Sequence, residues 1–109
     1  MKHSIRDENV KHFEELLLFP DYASSGLWCS CGLGIGNPQD GIPLPYQIIE
    51  LVDLWNSYWE AMDEDAKETG INEYAEKQII NTGRILCEMI SDIIPCEFLE
   101  ERSTLKRYK

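Results

Sequence analysis

Histidine is scarce in this chain: there are two in 109 residues, His3 and His12, both near the N-terminal end. Nucleophilic catalysis needs a nucleophile with a positioned base, and nothing third stands ready to orient an imidazole between His12 and Cys29. A Cys–His nucleophile is therefore not expected. Positive charge is short as well. Ten Lys and Arg stand against twenty Asp and Glu, for a net charge of −10 and an isoelectric point near 4.5. A body that acidic repels phosphate backbones, which argues against direct nucleic-acid binding. No apolar run approaches the ~18 residues that a membrane-crossing helix needs, so a membrane span is excluded. The opening MKHSIRDENVKHFEE lacks the apolar core of a secretory signal, so a cytoplasmic location is the expectation. The glycine-rich dinucleotide fingerprint, the phosphate-binding P-loop and the EF-hand spacing are all missing. No internal repeat or low-complexity run is visible.

What is present suits one folded domain. Hydrophobic residues make up 43% and charged residues 28%, the composition of a globule that buries a core without disulfide staples. Residues 1–109 are read as a single domain, with 1–11 and 102–109 as flexible ends. The charge is unevenly placed. Residues 13–101 carry eighteen acidic side chains against three basic ones, while residues 102–109 carry four basic ones and no acid. Such a body attracts a basic partner and speeds the encounter. The plain alternative is that the charge serves solubility.

Along the chain, HFEELLLF ends at Pro20 and reads as a strand, because eight residues, a terminal aromatic and an immediate Pro-Asp turn favour one. PDYASSG is a turn by composition. LWCSCGLGI is a second strand, antiparallel to the first, with Gly32, Gly34 and Gly36 marking a bulge or irregular exit. GNPQDGIPLP is a loop. Pro45 then opens a helix whose apolar positions are Ile48, Leu51, Val52, Trp55, Trp59 and Met62. Its polar face carries Glu50, Asp53, Asn56, Glu60, Asp63, Glu64 and Asp65. Gly70 stops that helix and Asn72 caps the next, with Ala75, Ile79, Gly83, Leu86, Cys87 and Ile90 as its apolar face. Pro95 ends it, and Cys96 and Phe98 make a last strand. The order β-β-α-α-β predicts an α+β fold, a small three-stranded sheet with two long helices packed on one face.

The stretch Phe19–Gly36 invites chemistry. Cys29 and Cys31, with Cys87 and Cys96, suggest zinc, but structural zinc sites supply two pairs of ligands at two-to-four-residue spacing. Here one pair has a single intervening residue, and Cys87 falls on an apolar helix face, so buried free thiols are expected and no metal or cofactor is assigned. Adjacent carboxylates at Asp63, Glu64, Asp65 and Glu68 are most simply a solvated face. They oppose the helix dipole there, which makes them candidates for binding a partner. Asp40 and Glu60 join them as acidic candidates, and Tyr22 and Trp28, beside a turn, as aromatic anchors.

Three segments, LLLFPDYASSGLW, IPLPYQIIELVDLWNSYWE and GRILCEMISDIIPCEFLEE, together resemble a group of small bacterial proteins. Members of that group are similar to immunity proteins of polymorphic toxin systems, including contact-dependent growth inhibition. The resemblance covers residues 15–101, and its most specific part is Phe19-Pro20-Asp21-Tyr22 with Leu27-Trp28 and Trp55. The chain departs from the pattern at Tyr46, where a Ser, Asp or Glu helix-start residue is usual, and in CSCGLGIG, where polar loop residues are common. The resemblance implies an α/β fold and no enzyme activity, and it transfers no binding residue. The leading expectation is an immunity protein, a monomer in a 1:1 complex with a basic toxin domain of nuclease type. The rivals are a metal- or thiol-dependent module built on Cys29 and Cys31, and a phage or regulatory adaptor for another basic protein.

Overall fold

Leu16, Leu18, Leu27 and Cys29 alternate with Leu17 and Trp28, and the alternation becomes the two faces of a sheet. A computed structural model describes residues 13–35 and 42–105. In it β1 (Leu16–Leu18) pairs antiparallel with β2 (Leu27–Cys29), setting Leu16 opposite Cys29 and Leu18 opposite Leu27. Those four side chains are buried, while Leu17 and Trp28, opposite one another on the other face, are half-buried.

The sheet has four strands rather than three. The glycine-rich exit from β2 folds back as β3 (Gly34–Ile35), antiparallel to β2, with Ile35 opposite Leu27. Around the turn, the Cys29 N–H donates to the Leu33 carbonyl and the Gly32 N–H to the Cys29 carbonyl, both at 2.8 Å. Gly32 and Gly34 thus lie in a hairpin rather than a bulge or irregular exit, and Gly36 lies outside the described residues. β4 (Cys96–Phe98) lies parallel to β1 on its other side, giving the order β3-β2-β1-β4.

Two helices cover the inner face. α1 (Tyr46–Thr69) begins after Pro45 and stops at Gly70, whose N–H bonds to the Ala66 carbonyl at 3.1 Å. α2 (Glu73–Ser91) is capped by Asn72, whose side chain accepts the Ala75 N–H at 3.1 Å. Glu73 and Glu76 in its first turn complement the helix dipole. The core joins Leu16, Leu18, Leu27 and Ile35 of the sheet to Val52, Trp55 and Trp59 of α1 and Ile79, Leu86 and Ile90 of α2.

Gly83 is where the three layers meet. A Cβ there would lie 2.5 Å from the Phe98 ring and 2.9 Å from the Trp55 ring. The Trp55 indole N–H reaches over to the Ile79 carbonyl at 2.8 Å and ties the helices together. A glycine in a helix interior costs about 1 kcal/mol, and here it lets two aromatic side chains close the helix–sheet junction.

α1 is rotated relative to the sequence reading. Its buried positions are Ile49, Val52, Trp55, Asn56, Trp59, Asp63 and Ala66. Ile48 and Met62 are only half-buried, and Leu51 is 46% exposed. The cause is polar: the turn between β1 and β2 docks on α1 and needs buried partners for its backbone. The chain after β4 also departs from a flexible end at residue 102. Glu100–Arg102 form one 3-10 turn, Ser103 and Leu105 are buried, and the Trp59 indole N–H donates to the Thr104 carbonyl at 3.3 Å. Among the described residues, no helix is long and apolar enough to cross a membrane.

Candidate functional site

The sequence candidates divide into a buried bracket and an exposed stripe. The bracket is built by Asn56, which is 1% exposed. Its amide oxygen accepts the Asp21 N–H at 2.9 Å and the Ser24 hydroxyl at 3.2 Å. Its amide nitrogen donates to the carbonyls of Asp21 and Ser24, at 2.9 and 3.0 Å, and to the Glu60 carboxylate at 3.2 Å. One side chain thus satisfies the polar backbone of a turn that would otherwise be buried unpaired. Glu60 also accepts the Ala23 N–H at 3.3 Å, where Ala23 holds a left-handed φ of 56°. Gly26, at φ 92°, brings the turn so close that a Cβ would meet Val52 Cγ1 at 3.0 Å.

Tyr22 and Asp63 belong to the same bracket. Asp63 is fully buried, and the Tyr22 hydroxyl donates a hydrogen bond to its carboxylate. The Tyr22 ring meets Trp59 edge to face at 5.1 Å, and the Lys67 ammonium stands 5.8 Å from its centroid. Burial, then the hydrogen bond to Asp63, hold the Tyr22 phenol well above its ordinary value. Asp63 is therefore not part of a solvated acidic face, and Glu60 is half-buried and engaged. These two candidates position the turn, and the Tyr22 hydroxyl is committed with them.

Trp28 is not a free anchor either. Its ring stacks on Phe19 at 4.6 Å, within 1° of parallel, and its indole N–H donates to the Phe19 carbonyl at 2.9 Å. The Arg102 guanidinium lies 4.1 Å from the same Phe19 centroid. Two groups cannot share one ring face at those distances, so Phe19 is sandwiched between Trp28 and Arg102, which ties the chain after β4 to the outer face of the sheet.

Glu64, Asp65 and Glu68 are exposed. The Glu64 carboxylate pairs with Lys67 at 3.0 Å, and that contact, followed by the Tyr22 hydroxyl, holds it below its ordinary value. Asp40 lies outside the described residues. The sequence places Glu50 and Asp53 on the polar face of this helix without marking them as contacts, and they join the exposed acids. Glu50, Asp53, Glu60, Glu64 and Glu68 recur three, four or seven residues apart, which lines them along one flank of α1.

Of the four free thiols, Cys29 alone is buried as expected; Cys87 and Cys96 are half-buried and Cys31 is exposed. Cys29 is buried and burial pushes its thiol up. Burial, with Cys87 beside it, does the same to Cys96, while the Cys87 thiol donates to the Cys96 carbonyl at 3.3 Å. A raised thiol opposes both nucleophilic attack and metal ligation, which use the thiolate. Among the described residues, no three His, Cys, Asp or Glu side chains gather as a metal site would require.

A cleft of about 500 Å³ between α2 and the 3-10 turn is lined by Glu76, Lys77, Arg84 and Glu100. Within it Arg84 pairs with Glu100, and Glu76 accepts the Leu105 N–H at 2.8 Å. Comparison with known protein families, with curated proteins and with solved structures finds no match to this chain.

Proposed function

We propose that this protein is an immunity-type inhibitor, which binds a basic toxin domain of nuclease type and covers its active site. It acts by binding alone, in the cytoplasm, as a monomer in a 1:1 complex. The observation that carries the reading is the one-sided charge of α1, where seven acidic residues stand against Lys67. Its flank exposes Glu50, Asp53, Glu64 and Glu68 to solvent. A nuclease cleft is lined with Lys and Arg for its substrate's phosphates, and a rigid acidic helix is a fitting competitor. Electrostatic steering supplies the fast association that a cell under attack needs. The resemblance of Phe19–Tyr22, Leu27-Trp28 and Trp55 to immunity proteins points the same way.

An immunity gene sits directly behind its toxin gene, so the test is co-expression with the C-terminal domain of that neighbour. Survival of the host and a 1:1 complex on gel filtration are expected. Killing that proceeds unchecked would remove the reading.

A further inference from the structure

Leu51, Leu54 and Tyr58 are 46%, 60% and 43% exposed on α1, and Ile85 and Met89 are 58% and 36% exposed on α2. Each set is spaced three or four residues apart and so forms a stripe. The contacts of each helix fix where its stripe faces. On α1 the flank carrying Glu60 and Lys67 turns to the β1–β2 turn, while Trp55 reaches α2. On α2 the flank carrying Arg84, Cys87 and Ser91 turns to β4 and the 3-10 turn. The remaining flanks lie to either side of the α1–α2 seam, and they carry the two apolar stripes, which stay exposed. They border one outward-facing groove along the α1–α2 seam.

The rim of this groove is acidic. Glu50 and Asp65 lie beside the stripe on α1, and Glu88 and Asp92 beside the stripe at the end of α2; all four are exposed. The three bases of the two helices stand elsewhere. Lys67 pairs with Glu64, and Lys77 and Arg84 line the cleft toward Glu100. A second copy of the chain would bring like-charged rims together, which costs affinity. The complementary occupant has an apolar stripe flanked by Lys and Arg.

We infer that the α1–α2 groove is the anchoring part of the partner interface, and that it receives an amphipathic helix with basic flanks. The inference rests on the inhibitor reading for the partner's biological identity and on the groove alone for its chemistry. Apolar anchors hold such a helix in a groove, and the acidic rim and the α1 stripe guide it in.

Two synthetic amphipathic helical peptides test this against the full chain by fluorescence titration. They share one leucine stripe, flanked by Lys and Arg in one and by Glu in the other. The basic peptide should bind saturably and the acidic one should not. Leu54→Asp with Ile85→Asp, both at exposed positions, should weaken the basic peptide about tenfold or more while leaving the thermal melt unchanged. Equal binding of the two peptides, or no saturable binding of the basic one, would overturn the groove. So would a wild-type dimer in sedimentation that the double variant splits.

The same variant separates the two proposals in the co-expression assay. If it still neutralises the toxin as well as wild type, the groove fails and the inhibitor reading stands. If wild type fails to neutralise while the basic peptide binds, the inhibitor reading fails and the groove stands.

Discussion

Tyr22 and Asp63 show how a residue's role depends on what lies 41 positions away. The Tyr22 hydroxyl bonds the buried Asp63 carboxylate, and Glu64 and Lys67 are the other charged groups facing it. A hydrogen bond to a charged acceptor contributes about 1.5–3 kcal/mol, less for a ring that is a third exposed, so Tyr22→Phe should cost about 1 kcal/mol at pH 7. The pH dependence has a definite sign. The folded state holds the phenol above its ordinary value, so the unfolded chain loses the proton first as pH climbs past ~10. The contribution is whole below that pH and drains away above it. Urea unfolding of wild type and Tyr22→Phe should therefore converge between about pH 9 and 11; a constant gap across that window would show that the bond carries no such linkage. The sequence alone named Tyr22 and Asp63 together as partner contacts. It could not show that they are partners of each other, because acidic and aromatic residues on a helix and a turn look alike whether they meet solvent or one another. Asn56 was hidden for the same reason: an Asn on a polar helix face gives no sign that a turn will be hung on it.

Helices and their ends were the most readable elements, because Pro45, Gly70 and Asn72 act through local backbone geometry and capping. Strand pairing was less so. β3 has two residues, one of them a glycine, too little for any periodicity, and the parallel pairing of β4 with β1 is fixed only when the two helices deliver β4 to that edge. The face of α1 was misread by a rotation, since Leu51 looked like core and Asn56 like surface. In α2 the readable anomaly was Gly83, and the structure explains it by contact with Phe98 and Trp55. Gly83→Ala should therefore destabilise the protein despite alanine's better helix propensity. Overpacking against two aromatic rings costs about 1–3 kcal/mol against a propensity gain of about 1 kcal/mol, for a net loss of about 1 kcal/mol. Denaturant midpoints would record it. Adding Phe98→Leu should restore part of the loss in the double variant, and a stabilised Gly83→Ala chain would mean that the rings have room to move aside.

At the scale of the whole molecule, the net charge of −15 over residues 13–101 sets stability against recruitment. Like charges repel within the fold, and Glu68, in the last turn of α1, also opposes the helix dipole. A surface kept this acidic costs stability that a purely solubilising charge would not require. Glu50→Gln, Asp53→Asn and Glu68→Gln together are the variant that exposes the trade, because all three side chains are exposed and none belongs to the Asn56 bracket; Asp63 and Glu60 are left intact. The triple variant should melt a few degrees higher than wild type at low salt, and the gain should shrink as added salt shortens the Debye length to about 3 Å near 1 M. Its association with a basic toxin domain should slow by about tenfold at low salt, with dissociation changed less, since exposed flank and rim charges act on encounter more than on retention. Stopped-flow association and thermal melts across a salt series measure both sides. A variant that is more stable yet associates as fast as wild type would leave the acidic stripe as a solubilising surface and nothing more.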